Sequence, residues 1–204
     1  MIFYMNISLL TEETESPAAR VFDLVMAGLG LAVFLPFFAF VSISIYLDDG
    51  LPLLFRQPRL GRHRCLFELL KWRTMRNGRV TRVGAWLRRT GLDETAQFLN
   101  VLRGEMGMVG FRPLTPEDSA RLGWDGPGRR HRWEAKPGIT GLAQVQAGRS
   151  AVHSRRLEDV YLRRKSLWLD LKLILISFSM NLLGKRCVRE ALSRRWRRGL
   201  NGGS

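Results

Sequence analysis

Apolar residues concentrate in one long run. From Val21 to Leu47 the chain reads VFDLVMAGLGLAVFLPFFAFVSISIYL, with Asp23 as its only charge. About 20 apolar residues cross a bilayer as a straight helix, so this run is long enough to span. Pro36 lies near its middle and lacks a backbone N–H, which predicts a kink or break. Ser42 and Ser44 follow it and are candidates to satisfy freed carbonyls. Two membrane arrangements compete: a kinked span, or entry, a turn at Pro36 and exit on the same face. A buried core helix is the third reading, and so long a run with one charge exceeds what a domain of this size usually buries. Arg20 precedes the run, and Arg56, Arg59, Arg62 and Arg64 follow it. Positive charge on both flanks favours keeping both ends in the cytoplasm.

Beyond the run the pattern shortens. LPLLF and CLFELLKW have strand length, with QPRLG between them as a turn. Residues 84–103 read as a helix, because Leu92, Ala96, Leu99 and Leu102 recur at helical spacing until Gly104. Residues 104–150, rich in Gly, Pro and Arg, read as an ordered loop region. Residues 157–183 return to helix, where Asp170 and Lys172 interrupt the apolar run. An amphipathic helix lying in the interface, with Tyr161 and Trp168 at headgroup depth, fits better than a second span. The first residues carry Glu12, Glu13 and Glu15 rather than the positive start of a signal peptide, so cleavage is not expected. The end, RRWRRGLNGGS, reads as a basic, flexible tail.

Composition adds a partner class. The 204 residues include 33 Lys and Arg against 18 Asp and Glu, a formal charge of +15. This surplus implies an anionic partner: nucleic acid, anionic lipid or a phosphorylated small molecule. A basic body beside one apolar segment favours the membrane surface. Cys65 and Cys187 form no disulfide framework or zinc motif, and His63, His131 and His153 form no metal pair.

The candidate chemistry lies in TGLDETAQFLNVLRGEMGMVG, residues 90–110. Thr90 and Asp93 fit a capping pattern that places Asp93 and Glu94 in a first helical turn, where the helix dipole favours their ionised forms. An ionised carboxylate is what a nucleophile for phosphorus must be. Asp93, Gln97 and Asn100 fall at i, i+4 and i+7, one polar stripe. On spacing alone, a simple helix cap explains the acids as well. The surroundings favour chemistry: Arg88, Arg89, Arg103 and Arg112 flank two carboxylates, a composition suited to a diphosphate. Lys71 and Arg73 alternate onto one strand face in KWRTMR. In KPGITGLAQVQAGR, Pro137-Gly138 and Gly141 permit close backbone approach to a ligand, with Arg149 at hand.

Several long motifs in order carry a resemblance: RVFD, FRQPRLG, KWRTM, TRVGAWLRRTGLDETAQFLNVLRGEMGMVGFRPL, KPGITGLAQVQAGR and VYLRRKSLWLDLKL. Together they cover about Arg20 to Ser179, and the chain resembles the monotopic phosphoglycosyl transferases, bacterial sugar transferases that start glycan and exopolysaccharide assembly. The resemblance implies transfer of a sugar-1-phosphate from a UDP-sugar to polyprenyl (undecaprenyl) phosphate, with release of UMP. It implies Asp93 as the nucleophile and Glu94 as its partner, both toward Mg²⁺, with Lys71, Arg73, Arg88, Arg112 and Arg149 as phosphate or substrate contacts. It also turns Pro36 toward re-entry, and leaves a homodimer open.

The expected fold is α+β and mostly helical. A lead-in (1–19) precedes a re-entrant membrane helix broken at Pro36 (20–48), a cytosolic catalytic domain with short strands and amphipathic interfacial helices (49–185), and the tail (186–204). The expected place is the cytoplasmic face of the bacterial inner membrane, as a minimal catalytic form without nucleic acid as partner. Departures from the family pattern include Leu35, Trp72, Gly91, Ala96, Phe111 and Gln146-Ala147. A non-catalytic basic module for membrane or nucleic acid, and a degenerate scaffold, are the competing readings. Acids inside an arginine cluster count against the first, and retention of Asp93, Glu94 and Arg112 against the second.

Overall fold

The computed structural model describes residues 16–124, 126, 130–146, 150–184 and 188–189. The acidic lead-in before Ser16 and the tail beyond Arg189 lie outside the described residues. The apolar run forms one helix, α1 (Pro17–Asp49), capped by Ser16. It continues through Pro36 without interruption, so the expected break is absent. Tertiary packing supplies the reason. Gly30 lets the Phe98 ring approach so closely that a Cβ would stand 2.8 Å from it. Phe34, Phe37 and Phe38 meet the rings of Phe98, Trp86 and Trp72 at 6.1, 5.9 and 5.4 Å. Contacts on both sides of Pro36 therefore hold the helix against one body. Ser44 donates to the Phe40 carbonyl at 2.8 Å, its own helical turn, rather than to the Ala32 carbonyl that Pro36 leaves.

Only one stripe of α1 is covered. Asp23, Ala27, Val41, Ile45 and Asp49 are buried. Val21, Val25, Leu29, Val33, Leu35, Phe40, Ile43 and Leu47 are exposed on the remaining faces. By length and composition α1 is apolar enough to cross a membrane. Polar ties close both ends. Arg20 donates to the Val101 and Leu102 carbonyls at 2.8 and 2.9 Å, and Asp23 accepts from Met108 N at 2.8 Å. At the far end, Arg73 lies 2.8 Å from the Asp49 carboxylate and donates to the carbonyls of Asp49 and Gly50. A cation on the last carbonyls of a helix is favourable both as a cap and toward the helix dipole.

The next segment is a hairpin of β1 (Leu54–Leu60) and β2 (Leu66–Trp72). QPRLG is therefore not its turn. Gln57 to Leu60 belong to β1, where an edge strand tolerates Pro58. The connection is Gly61–Cys65, with His63 and Arg64 at positive φ. A small hairpin, β3 (Met75–Arg76) and β4 (Arg79–Val80), leads into α2 (Arg82–Thr90). The helix expected over 84–103 divides at Gly91, whose φ of 73° ends α2. A 3₁₀ segment (Leu92–Gln97) and α3 (Phe98–Leu102) follow.

The expected loop region contains β5 (Gly107–Val109), α4 (Pro116–Arg121), α5 (Arg130–Glu134), β6 (Gly138–Thr140) and α6 (Leu142–Gln146). Strands β5 and β6 pair in parallel. A Cβ on Gly138 would stand 2.0 Å from Gly110 N, so this glycine serves a backbone crossing rather than ligand approach alone. The last helical stretch divides at Lys165–Ser166 into α7 (Ala151–Arg164) and α8 (Leu167–Leu183). Trp168 is exposed, with Lys172 over its ring. Tyr161 is not at a surface. It is 3% exposed, with its hydroxyl 2.7 Å from Asp170 Oδ1, and it joins α7 to α8.

Asn100 also leaves its expected surface stripe. It is wholly buried, accepts from Leu70 N at 3.0 Å, and donates to the Glu68 carbonyl at 2.7 Å. It thereby ties α3 to β2. Substitution Asn100→Leu strands these two backbone groups, and each unsatisfied buried group costs about 1–3 kcal/mol. Thermal unfolding of the detergent-solubilised protein is expected to show a clear loss of stability; an unchanged melting temperature would remove Asn100 from this role.

Candidate active site

The acids stand where a helix fails to continue. Gly91 adopts the left-handed conformation that a side chain resists, and the chain re-enters as a 3₁₀ turn. Thr90 does not cap that turn. Its Oγ1 lies 3.0 and 3.1 Å from the Trp86 and Leu87 carbonyls, inside α2. The capping box is thus corrected: Gly91 is the cap residue, and Asp93 and Glu94 still occupy the first turn. Thr95, Ala96 and Gln97 form the buried side. Trp72 Nε1 donates to Thr95 Oγ1 at 3.1 Å, which fixes the turn on β2. The departures Trp72 and Ala96 thus meet in one packed joint.

Packing against β2 brings Lys71 to the acids. Its Nζ is 2.7 Å from Glu94 Oε1. Asp93 has its pKa raised above the ordinary carboxylate value, first by burial and then by the adjacent Glu94. Lys71 and Arg88 oppose the shift. The expected dominance of the helix dipole does not hold, because a short 3₁₀ turn has little dipole to offer and burial outweighs it.

A cleft opens beside this pair, lined among others by Arg59, Lys71, Glu94, Gln97, Arg112 and Gln144. Arg112 and Lys71 therefore converge with Glu94, as expected. Arg88 keeps near Asp93, with its Nε donating to Thr74 Oγ1 at 2.8 Å. Arg88, Arg89, Arg103 and Arg112 are all exposed; of the four, Arg88 acts on Asp93 and Arg112 lines the cleft. Arg73 pairs with the Asp49 carboxylate and donates to the carbonyls of Asp49 and Gly50, a clamp on the end of α1. Arg149 lies outside the described residues.

Three residues were not foreseen. Arg59 shares a face with Leu69 and Lys71, since Arg59 pairs with Phe67, Gln57 with Leu69 and Phe55 with Lys71. The alternation that was applied to Lys71 finds Arg59 once the strand register is known. Arg132 and Glu158 form a buried ion pair at 2.5 Å. Arg132 also donates to the Arg112 carbonyl at 2.8 Å, and lies over the rings of Phe111 and Trp124 at 4.1 Å. The departure at Phe111 thus supplies one wall around Arg132, and this assembly sets the backbone that carries Arg112.

Chemically, the site offers a desolvated carboxylate, a neighbouring acid held by a lysine, and cations lining an open cleft. Among the described residues, no group of three or more His, Cys, Asp or Glu converges. Two carboxylates still fit Mg²⁺, which commonly takes one or two of them and completes its shell with water and phosphate oxygens.

Residues 14–184 match the family described as bacterial sugar transferase. A UDP-glucose:undecaprenyl-phosphate glucose-1-phosphate transferase of Caulobacter vibrioides is 40% identical over 181 residues, covering 76% of this chain and 66% of that protein. An undecaprenyl-phosphate glucose phosphotransferase of Komagataeibacter xylinus is 35% identical over 81% of this chain and 36% of its own length. An uncharacterized sugar transferase, EpsL, of Bacillus subtilis is 36% identical over 78% of this chain and 84% of its own. The chain thus spans from about a third to about two thirds of the first two relatives.

Because Glu94 raises the Asp93 pKa and Lys71 lowers it, the two substitutions should move it in opposite directions. Carbon-detected titration of Asp93 in the ¹³C-labelled protein is expected to move to lower pH in Glu94→Gln and to higher pH in Lys71→Met. Shifts of the same sign would contradict this electrostatic arrangement.

Proposed function

The chain belongs to the bacterial sugar transferase family, and from that membership we propose that it moves a sugar-1-phosphate from a UDP-sugar to polyprenyl phosphate. The names of the Caulobacter and Komagataeibacter relatives support undecaprenyl phosphate as acceptor and glucose as one candidate sugar. One observation carries the proposal: Asp93 and Glu94 stand side by side with Lys71 at 2.7 Å, on a cationic cleft. The body that holds them lies along a helix whose other faces are apolar and exposed.

In this reading, a carboxylate oxygen of Asp93 attacks the phosphorus that bears the sugar. A carboxylate–phosphorus bond forms, and the bond from that phosphorus to the oxygen of UMP breaks. An oxygen of polyprenyl phosphate then attacks the same phosphorus and frees Asp93, leaving the sugar on a lipid diphosphate. The order is ping-pong. Lys71 holds Glu94, and Arg88 and Arg112 offset phosphate charge as it gathers. Asp93 and Glu94 would hold Mg²⁺, which supplies neutralisation of diphosphate charge when bound. Burial keeps water from the attacking carboxylate and also raises its pKa, so the acid limb of the rate should stand above the ordinary carboxylate range.

The same geometry supports a monotopic placement. Helix α1 is tied to one body at Arg20 and Asp23 and again at Asp49. Were it to cross the bilayer, the flank that bears Trp72, Asn100 and Arg73 would enter hydrocarbon with it. Both ends on the cytoplasmic face of the inner membrane, with the bare faces in lipid, avoid that burial of charge.

The test is a screen of UDP-sugars for UMP release by protein in detergent with polyprenyl phosphate and Mg²⁺. At least one UDP-sugar is expected to release UMP, and Asp93→Asn to slow release by roughly 10³-fold or more, as loss of a nucleophile does. Full activity in Asp93→Asn, or no UMP from any UDP-sugar, would reject the mechanism.

A further inference from the structure

Arg59 has no role in the chemistry so far, yet its surroundings call for a ligand. Its Nη1 donates to the Pro113 carbonyl at 3.2 Å and its Nη2 to Gln57 Oε1 at 2.6 Å, which fixes the guanidinium plane. Its Nε is buried without a hydrogen-bond partner, as is Oε1 of Gln144 on the same cleft. Buried polar atoms without partners are uncommon in folded proteins. Burial, and then the like charge of Arg112, hold the Arg59 pKa below its ordinary value. Two cations thus share one wall of the cleft, an arrangement that an anion between them would relieve.

The cations divide into two sets. Lys71 and Arg88 act on Asp93. Arg59 is acted on by Arg112 and, among acids, by Asp118, Glu94 and Glu117. Transfer of a phosphoryl group runs roughly in line, so the leaving oxygen departs on the side away from the nucleophile. The first set acts on Asp93 itself, and Arg59 meets the acid pair through Glu94.

We propose that Arg59, paired with Arg112, binds the phosphate of the leaving nucleoside monophosphate. The assignment rests on the transfer reading above and adds a binding residue to it. Neither the sugar-bearing phosphate nor the lipid acceptor is asked to contact Arg59. A charge-assisted hydrogen bond to phosphate is among the stronger polar contacts, so its loss should be plain in affinity.

The test compares calorimetric binding of UMP and of uridine to detergent-solubilised wild type, Arg59→Gln and Arg59→Lys, with thermal unfolding of each. Arg59→Gln is expected to weaken UMP by about tenfold or more while leaving uridine unchanged, and Arg59→Lys to recover part of the loss. Unchanged UMP affinity in Arg59→Gln would overturn the proposal. Equal loss of UMP and uridine would overturn it too, because it would mark Arg59 as a support for the cleft. Wild-type protein that releases UMP from a UDP-sugar, beside an Arg59→Gln variant of normal UMP affinity, would refute this assignment alone. Wild-type protein that binds neither UMP nor uridine would refute the transfer reading itself.

Discussion

The structure depends on the ion pairs and hydrogen bonds that fasten both ends of α1 to one body. A helix with so much exposed apolar surface has no reason to lie along a polar domain unless something holds it. Arg20 on the last carbonyls of α3, Asp23 on β5, and Arg73 on the last carbonyls of α1 supply that hold. Between them the Phe34, Phe37 and Phe38 rings fill the contact. The same elements carry the acids, since β2 ends at Trp72 beside Arg73 and receives the 3₁₀ turn through Thr95. The placement of α1 and the geometry of the candidate site are therefore set by one joint rather than by two separate devices.

A second layer of buried polar contacts fixes the cleft from behind. Asn100 holds α3 to β2, and Tyr161 holds α7 to α8. The pair of Arg132 and Glu158, enclosed by aromatic rings, supports the backbone of Arg112. Buried ion pairs add little net stability compared with apolar packing, but breaking one partner leaves a buried charge. Their value here is geometric: they hold the backbone of Arg112 at the cleft. Of the two acids, Glu94 is the one held by an ion pair, to Lys71 at 2.7 Å, while Asp93 is partly buried beside it.

Much of this was legible before folding. The apolar run, the two strands around residues 54–72, and the acids at Asp93 and Glu94 all declare themselves through local pattern. What could not be read were features set by distant partners. Thr90 looked like a cap because the sequence does not reveal that Gly91 stops the preceding helix. Pro36 looked like a break because the rings that pack α1 on both sides of it belong to residues far along the chain. The clamp made by Arg73 was hidden because its partner, Asp49, lies at the end of α1. Tyr161 looked interfacial because its tie to Asp170 depends on how two helices meet. Arg59 was hidden by register, since only the pairing of β1 with β2 shows that it shares a face with Lys71.

The central claim, one body fastened to both ends of a lipid-facing helix, is open to a direct measurement. Cysteines placed at Ala18 and Leu51, in a chain whose Cys65 and Cys187 are replaced, can be labelled with a membrane-impermeant thiol reagent in right-side-out and inside-out vesicles. Both positions are expected to react from the same, cytoplasmic face. Labels from opposite faces would show that α1 crosses the bilayer and would contradict the account.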